Sequence, residues 1–483
     1  MAGATDVKKN TLFNTIKSIF GIIYPLITFP YISRALLTEN VGKINFGQSV
    51  VSYFSLVASL GVTTYAVREC SKYREDRNKL GDTASQILSI NVCSTAIAYL
   101  ALALTLVLAP PLANYRLLII IQSSAILFTT LGADWLNTAM EDFRFIAVRT
   151  VGMQVFSLLL MLIFVKRPED YLVYAVISVV ASSGANIINI FYRRRYCKTH
   201  LVLRIDWKKH LPPILLLFSL VLSQTIYTNS DITILGLLKG DYQVGLYSTS
   251  VRIYNIVNTV VASVAWVVMP QLSSSFAKKD YEKVNGLLKY SLNFIVVLGL
   301  PCIIGLNIIT PEIIMLIAGE NYLGAVVSLR ILTISLACSF IGGWIGNMMM
   351  LPAGKEKVFL KSSVISAAVN IVLNFILIPK WGLNAAAATT AAAEFLGILL
   401  QSPYIDKKIH ISGLKEVFRA PVIGAAGIVV TSLIIRSFVH SAYWIAILTV
   451  LLGAALYFII LILMKNEFAL NFVRPVIKRL TRS

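Results

Sequence analysis

The run YWIAILTVLLGAALYFIILILM (443–464) decides the fold class. It carries no Asp, Glu, Lys, Arg or His over 22 residues. A helix crossing the hydrocarbon core of a bilayer needs about 20 mostly apolar residues, each rising about 1.5 Å. Outward from this run, the 483-residue chain is 57% apolar and only 14% charged, about half the charge of a soluble domain. Such hydrophobicity excludes a disordered chain. The net charge of +20 would suit a nucleic-acid binder, but too few polar residues remain to build a solvated basic surface. The five cysteines, at 70, 93, 197, 302 and 338, form no CxxC pair and no disulfide framework.

The same ruler finds fourteen spans, near 11–34, 41–66, 84–109, 115–137, 146–165, 171–192, 213–237, 244–269, 290–309, 325–350, 361–379, 383–405, 420–438 and 443–464. This predicts an all-α integral membrane protein. The first span lacks a small-residue cleavage site and is expected to be retained. Alternate connections, counted with the span ends beside them, hold 32 Lys and Arg on one side against 8 on the other. By the positive-inside rule both termini face the cytoplasm. The basic loops, Arg193-Arg194-Arg195 among them, are then anchors for anionic lipid rather than for nucleic acid.

Internal similarity divides the chain. ALLTENVGKINFGQS (35–49) resembles GLLKGDYQVGLYSTS (236–250), bringing Gly42 against Gly245. FIAVRTVGMQVFSLLLMLIFVKRPEDY (145–171) resembles FLKSSVISAAVNIVLNFILIPKWGLNA (359–385), with Lys166 opposite Lys380. The expected organisation is an N-lobe over 1–192, a basic linker over 193–212, a C-lobe over 213–405, and two extra spans with a basic tail over 406–483. Duplicated six-span halves are a common transporter plan.

Soluble-enzyme signatures are absent: no GxxxxGK[ST], HExxH, GxSxG or strand-borne GxGxxG. The four histidines lack metal-ligand spacing, and no cofactor or metal is expected. Polar stripes inside the spans carry more information. Asn10, Asn14, Lys17, Gly21, Tyr24 and Thr28 share one face of span 1, and Asn45, Ser49, Ser52, Ser59 and Thr63 one face of span 2. Span 7 has Gln224, Thr228 and Asp231; span 8 has Ser248, Arg252, Asn255, Thr259 and Ser263. Lipid penalises such faces, so they turn either to a wet cavity or to neighbouring helices.

A mid-span ion costs at least about 2.5–3.5 kcal/mol on insertion scales. Lys17, roughly 9 Å into its span, either snorkels or binds an anion. Arg252 lies roughly 12 Å in, at the depth of Asp231. The two make either a structural ion pair or an anion ligand with its orienting carboxylate. Arg34 and Arg330 sit near outer span ends, where snorkelling competes with binding. Glu394, near the middle of span 12, is either a silent protonated acid or a proton-coupling site. Asp134 with Trp135, at the inner end of span 4, reads as an interfacial anchor.

Three stretches resemble a known family. PLITFPYISRALLTENVGKINFGQSVVSYFSLVASLGVTTYAVRE (25–69) resembles the opening of bacterial O-antigen type oligosaccharide flippases. ADWLNTAMEDFRFIAVR (133–149) resembles their span 4–5 signature, departing at Ala139 and Met140, where glycine is expected before the Glu. YTNSDITILGLLKGDYQVGLYSTSVRI (227–253) resembles the second-half counterpart. The resemblance implies the multidrug/oligosaccharidyl-lipid/polysaccharide exporter superfamily: two six-helix lobes around a central cavity, in the bacterial cytoplasmic membrane. It implies passage of a polyprenyl-diphosphate-linked oligosaccharide from inner to outer leaflet. Its partners would be membrane lipids, a polysaccharide polymerase and glycosyltransferases, and no nucleic acid. Lys17 and Arg252, with their planar or compact cationic donors, suit a diphosphate. Asn14, Asn45, Ser49 and Asn255 suit sugar hydroxyls. The rivals are a multidrug and toxin extrusion antiporter, disfavoured because a lysine and Thr28 stand where acids would be needed, and a membrane polymerase or glycosyltransferase. Such an enzyme needs acids or bases in an outer loop, and 310–324 holds only Glu312 and Glu320.

Overall fold

A computed structural model describes residues 4–466 and 468–470, apart from the side chains of residues 4–9, 220 and 266. Helices make up most of the described chain, with no strand among the described residues. Among the described residues twelve helices are long and apolar enough to cross a membrane, or thirteen if the bent pair Asp241–Ala262 and Val267–Ala277 counts as one span. The expected fourteen differ chiefly because Asn10–Tyr73 counts once, although it is broken at Leu37, where φ is 62° and ψ 173°.

That break divides α1 (Ala4–Ser59) into two arms, 4–36 and 38–59. Asn40 Nδ2 donates to the Pro168 carbonyl at 2.7 Å and the Tyr31 hydroxyl to the Val165 carbonyl at 2.7 Å. Both flanks of the turn are thereby tied to one loop. Lys17 on one arm and Ser55 and Ser59 on the other line the same cavity, so the arms run back along each other. The first unit continues through α2 (Val62–Cys70), α3 (Arg77–Leu108), α4 (Arg116–Gly132), α5 (Trp135–Ala139), α6 (Phe143–Phe164), α7 (Tyr171–Tyr192) and α8 (Trp207–Lys239). Aspartates start three of these: Asp76, Asp142 and Asp206 accept from Lys79, Phe145 and Lys209 amides, filling donors that a helix N-terminus leaves open.

The chain divides into two compact units, 1–245 and 246–483. At one end of the first, Tyr65, Leu80, Ile87, Trp135 and Ile214 share a buried core. An extended strap crosses α3 there: the His200 and Val202 amides donate to the Ser85 and Ser89 hydroxyls at 3.2 and 2.9 Å. Two residues of extended chain span roughly 6.6 Å and four residues of helix roughly 6 Å, so the spacings match. The strap ends where buried His210 joins the Tyr65 hydroxyl at 2.7 Å and Gln86 Oε1 at 3.2 Å. Because Gln86 Oε1 only accepts, His210 carries its proton on Nε2 and takes the Tyr65 proton at Nδ1.

Near the opposite end, the repeat-equivalent glycines meet. A Cβ on Gly42 would stand 1.8 Å from the Asp241 carbonyl oxygen, and one on Gly245 2.0 Å from that of Thr38. Each glycine thus abuts the residue four positions before the other. The crossing is sealed by the Tyr115 hydroxyl donating to Asp241 Oδ1 at 2.6 Å and by Phe46, whose ring packs on Tyr115 at 4.8 Å between centroids.

The second unit comprises most of α9 (Asp241–Ala262), then α10 (Val264–Ala277), α11 (Tyr281–Ile308), α12 (Thr310–Ile317), α13 (Val326–Gly343), α14 (Glu356–Trp381), α15 (Leu383–Gln401), α16 (Leu414–Phe438) and α17 (Ala442–Leu463). A π-helical turn, Trp344–Met350, extends α13. The last two helices are bolted to α11 and α12. Tyr457 donates to the Val297 carbonyl at 2.7 Å, and Arg436 pairs with buried Glu312 at 2.8 Å.

Candidate functional site

Mid-helix polar groups converge in the first unit around a cavity of about 430 Å³, within the range of small-molecule sites. Its wall includes Lys17, Ser59, Asn91, Thr130, Arg149 and Asn186, drawn from both arms of α1 and from α3, α4, α6 and α7. The local fold explains several of these placements. Asn91 and Ser94 donate to the Ala58 carbonyl at 2.7 and 2.6 Å, meeting an acceptor freed where α1 ends. Thr95 and Thr130 share a 2.7 Å hydrogen bond between α3 and α4. Gly132 allows α7 to close on α4, since a Cβ there would lie 2.6 Å from the Asn186 Cβ.

The charged part of the wall arises from a turn. Ala133 takes a left-handed conformation, φ 48°, which ends α4 and swings Asp134 to the cavity. There Asp134 Oδ1 accepts Arg149 Nη2, in an ion pair, and Asn137 Nδ2 at 3.1 Å. Arg149 Nη1 donates to the Ala185 carbonyl at 3.1 Å, and its guanidinium lies 5.3 Å from the Phe145 ring centroid. The Arg149 side chain is 3% exposed and Asp134 35%. Among the described residues Arg149 Nε has no acceptor. Asn137 is held in turn by Asn189 at 2.6 Å, which donates to the Gly132 carbonyl at 2.7 Å. Lys17 makes no ion pair among the described residues. Two formal positive charges thus face one negative.

This corrects the reading of Asp134-Trp135 as an interfacial anchor. Trp135 is buried in the core with Tyr65 and Leu80, because the turn at Ala133 carries it inward. Arg149, counted on the sequence only as a loop charge, is a wall residue.

The other expected residues are dispersed. Asn14 is exposed, and its carbonyl accepts from Ser18. Asn45 donates back to the Val41 carbonyl at 2.8 Å. Ser49 is buried and spent on the Phe46 carbonyl and Thr233. Arg34 is exposed and caps the Pro30 carbonyl at 2.7 Å. Asp231 is buried in the first unit, near the Tyr53–Thr233 hydrogen bond of 3.1 Å. In the second unit Asn255 and Arg330 are exposed and Arg252 is half-buried. Glu394 is half-buried, with Oε2 4.0 Å from where a Cβ on Gly342 would stand. That unit also holds a buried polar triad unremarked in the sequence: Thr389 donates to Asn374 at 2.5 Å and Asn374 to Asn370 at 3.1 Å. Mid-span amides in alanine-rich runs were the available signal. Among the described residues no three His, Cys, Asp or Glu side chains gather as metal ligands.

Comparison with known proteins gives a consistent picture. A family model described as polysaccharide biosynthesis protein matches residues 7–276. A putative O-antigen transporter of Shigella dysenteriae is 23% identical over 78% of this chain and 94% of its own length. Among solved structures, a lipid II flippase, MurJ, in an inward closed conformation superposes with a TM-score of 0.72 at 19% identity. That match covers 97% of this chain and all of the flippase. An outward-facing multidrug resistance transporter of the MOP superfamily gives 0.54 at 15% identity, over 83% of this chain and 94% of its own. At such identities these structures establish a shared fold.

Proposed function

We infer that this chain, which belongs to the polysaccharide biosynthesis protein family, is a flippase for lipid-linked glycans rather than an enzyme. Its cargo in this reading is a polyprenyl-diphosphate-linked oligosaccharide, moved from the cytoplasmic to the outer leaflet of a bacterial cytoplasmic membrane, with both termini cytoplasmic. What supports the reading is the first unit's cavity, lined by Lys17, Arg149 and Asp134 among hydroxyl and amide side chains and framed by membrane-length helices. A sugar head with a charged diphosphate cannot cross hydrocarbon without donors to replace its water. Lys17 and Arg252 supply cationic donors, and the serine, threonine and asparagine side chains meet hydroxyls. Asp231 and Glu394 are the candidates for orienting the cargo's ligands and for ion coupling. Rocking of the two halves exposes the site to each side in turn. Pathway glycosyltransferases supply the cargo and a polymerase consumes it.

A cation-drug antiporter fits less well, because the one carboxylate in the cavity is already neutralised by Arg149. The test is reconstitution in liposomes with a fluorescent polyprenyl-diphosphate oligosaccharide and a membrane-impermeant quencher. Protein-containing vesicles should expose label from both leaflets. Protection of half the label, as in empty vesicles, would refute the function.

A further inference from the structure

We propose that Arg149 and Lys17 form an anion-binding site for a polyhydroxylated ligand inside the first unit, and that Asp134 occupies it as a built-in stand-in when it is empty. The inference rests on the flippase reading and adds which group of the cargo enters this cavity: a sugar bearing one oxyanion. That oxyanion is either the carboxylate of an acidic sugar or the phosphate nearest the sugar.

Three observations on one side chain carry it. Arg149 is 3% exposed yet lines the cavity. A side chain buried that deeply ordinarily has all its donors met. Its Nη1 is fixed by the Ala185 carbonyl, which anchors the guanidinium plane. Its Nη2 and Nε lie along one edge of that plane, the edge that receives the two oxygens of a carboxylate or phosphate. Asp134 fills only half of it, through Oδ1, and Nε is left without an acceptor. The edge is shaped for two oxygens and given one.

The surroundings supply the rest. Lys17 adds a second cation with no carboxylate of its own, so one further negative charge would bring the cavity to formal neutrality. Asn186 and the hydroxyls of Thr138 and Ser182 lie on the same wall, where ring hydroxyls of a sugar would be met. Asp134 is 35% exposed and sits between the left-handed Ala133 and the start of the five-residue helix α5. It is the member of the pair with room to withdraw, whereas Arg149 is held by α7 and stacked on Phe145.

A stand-in and a structural partner make opposite predictions. The full-length protein in detergent is titrated with glucuronic acid, glucose 1-phosphate and glucose, reading binding by thermal shift. In the wild type at least one anionic sugar binds and glucose does not; the arm that responds identifies the source of the oxyanion. Asp134→Asn removes the competitor and should tighten that binding roughly tenfold, the change that 1.4 kcal/mol gives. Arg149→Gln should abolish it. Lys17→Gln, outside the ion pair and safe for folding, should weaken it about tenfold with an unchanged melting temperature. Unchanged or weaker binding in Asp134→Asn overturns the proposal, as does absence of anion binding in the wild type or equal binding of glucose. Should Asp134→Asn fail to fold, Thr138→Val serves in its place, and undiminished anionic-sugar binding there overturns the site. The liposome assay is scored separately. Anion binding without lipid transfer would remove the flippase reading and leave this site standing; transfer without anion binding would do the reverse.

Discussion

Replacing Gly42 with alanine should pry apart the helix crossing at Asp241. The added Cβ would lie 1.8 Å from the Asp241 carbonyl oxygen. Ordinary carbon–oxygen contact is about 3.3–3.6 Å, so the two backbones must separate by roughly 1.5 Å. No side chain can yield, because the obstacle is main chain. The shift also stretches the 2.6 Å hydrogen bond from Tyr115 to Asp241. Overpacking a tight core costs typically about 1–3 kcal/mol, and loss of a hydrogen bond to a charged group about 1.5–3 more. We expect a loss of about 3 kcal/mol in unfolding free energy. Gly245→Ala meets the Thr38 carbonyl at 2.0 Å and should cost a similar amount. The two should not add: once one methyl has opened the crossing, the second enters cheaply, so a double-mutant cycle should show coupling of about 1 kcal/mol or more. Gly152→Ala is the control. It lies within α6 with nothing within 4 Å of the new Cβ and should stabilise by up to about 1 kcal/mol. Thermal and denaturant unfolding in detergent reads all four. If Gly42→Ala fell within 0.5 kcal/mol of wild type, or the pair proved additive, the close reciprocal approach would be wrong.

Arg252→Ala should abolish transfer of lipid-linked oligosaccharide at unchanged protein level, and wild-type transfer would remove Arg252 from the cargo path. Asp142, outside the spans, is pushed up by burial but pulled further down by hydrogen bonds from Tyr196 and Tyr192, the Phe145 amide and nearby Arg195, leaving it below the usual aspartate value. Its contribution is therefore present at neutral pH and lost as the pH falls below about 4; Asp142→Asn should flatten the acid side of a melting-temperature profile. Arg436→Leu strands the buried Glu312 carboxylate and should destabilise by less than the about 3–5 kcal/mol of a fully buried pair, since Arg436 is 36% exposed. Adding Glu312→Gln should recover part of the loss in a chemical melt.

The spans were legible because hydropathy is a bulk property: over about 20 residues it survives any local detail. The break at Leu37 was placed, between spans ending near 34 and starting near 41, but its form was not. A leucine at positive φ has no signature, where a glycine would have announced the turn. The cavity was half legible. Lys17, Ser59 and Thr63 came from the stripe periodicity and do line it. Arg149 was hidden because the positive-inside count treats every basic residue at a span end as topology. Asp134 was hidden because Ala133 and Glu141, both at positive φ, fold the segment 133–142 back on itself. Ser49 fell on the right face yet turned into the protein, a choice between neighbours that period alone does not make.

The strap over α3 bears on how this chain can be cut or lengthened. Segments joining two halves ordinarily tolerate insertions, and the stretch 196–206, basic and apolar by turns, has the look of one. Its amides, however, are keyed to hydroxyls at fixed intervals on Ser85 and Ser89. One extra residue before His200 would slide the pattern out of phase and pull on the imidazole wedged under Tyr65. A split version for co-expression, or a fluorescent insert, is better placed near exposed His440, between α16 and α17, than in this seemingly spare tether.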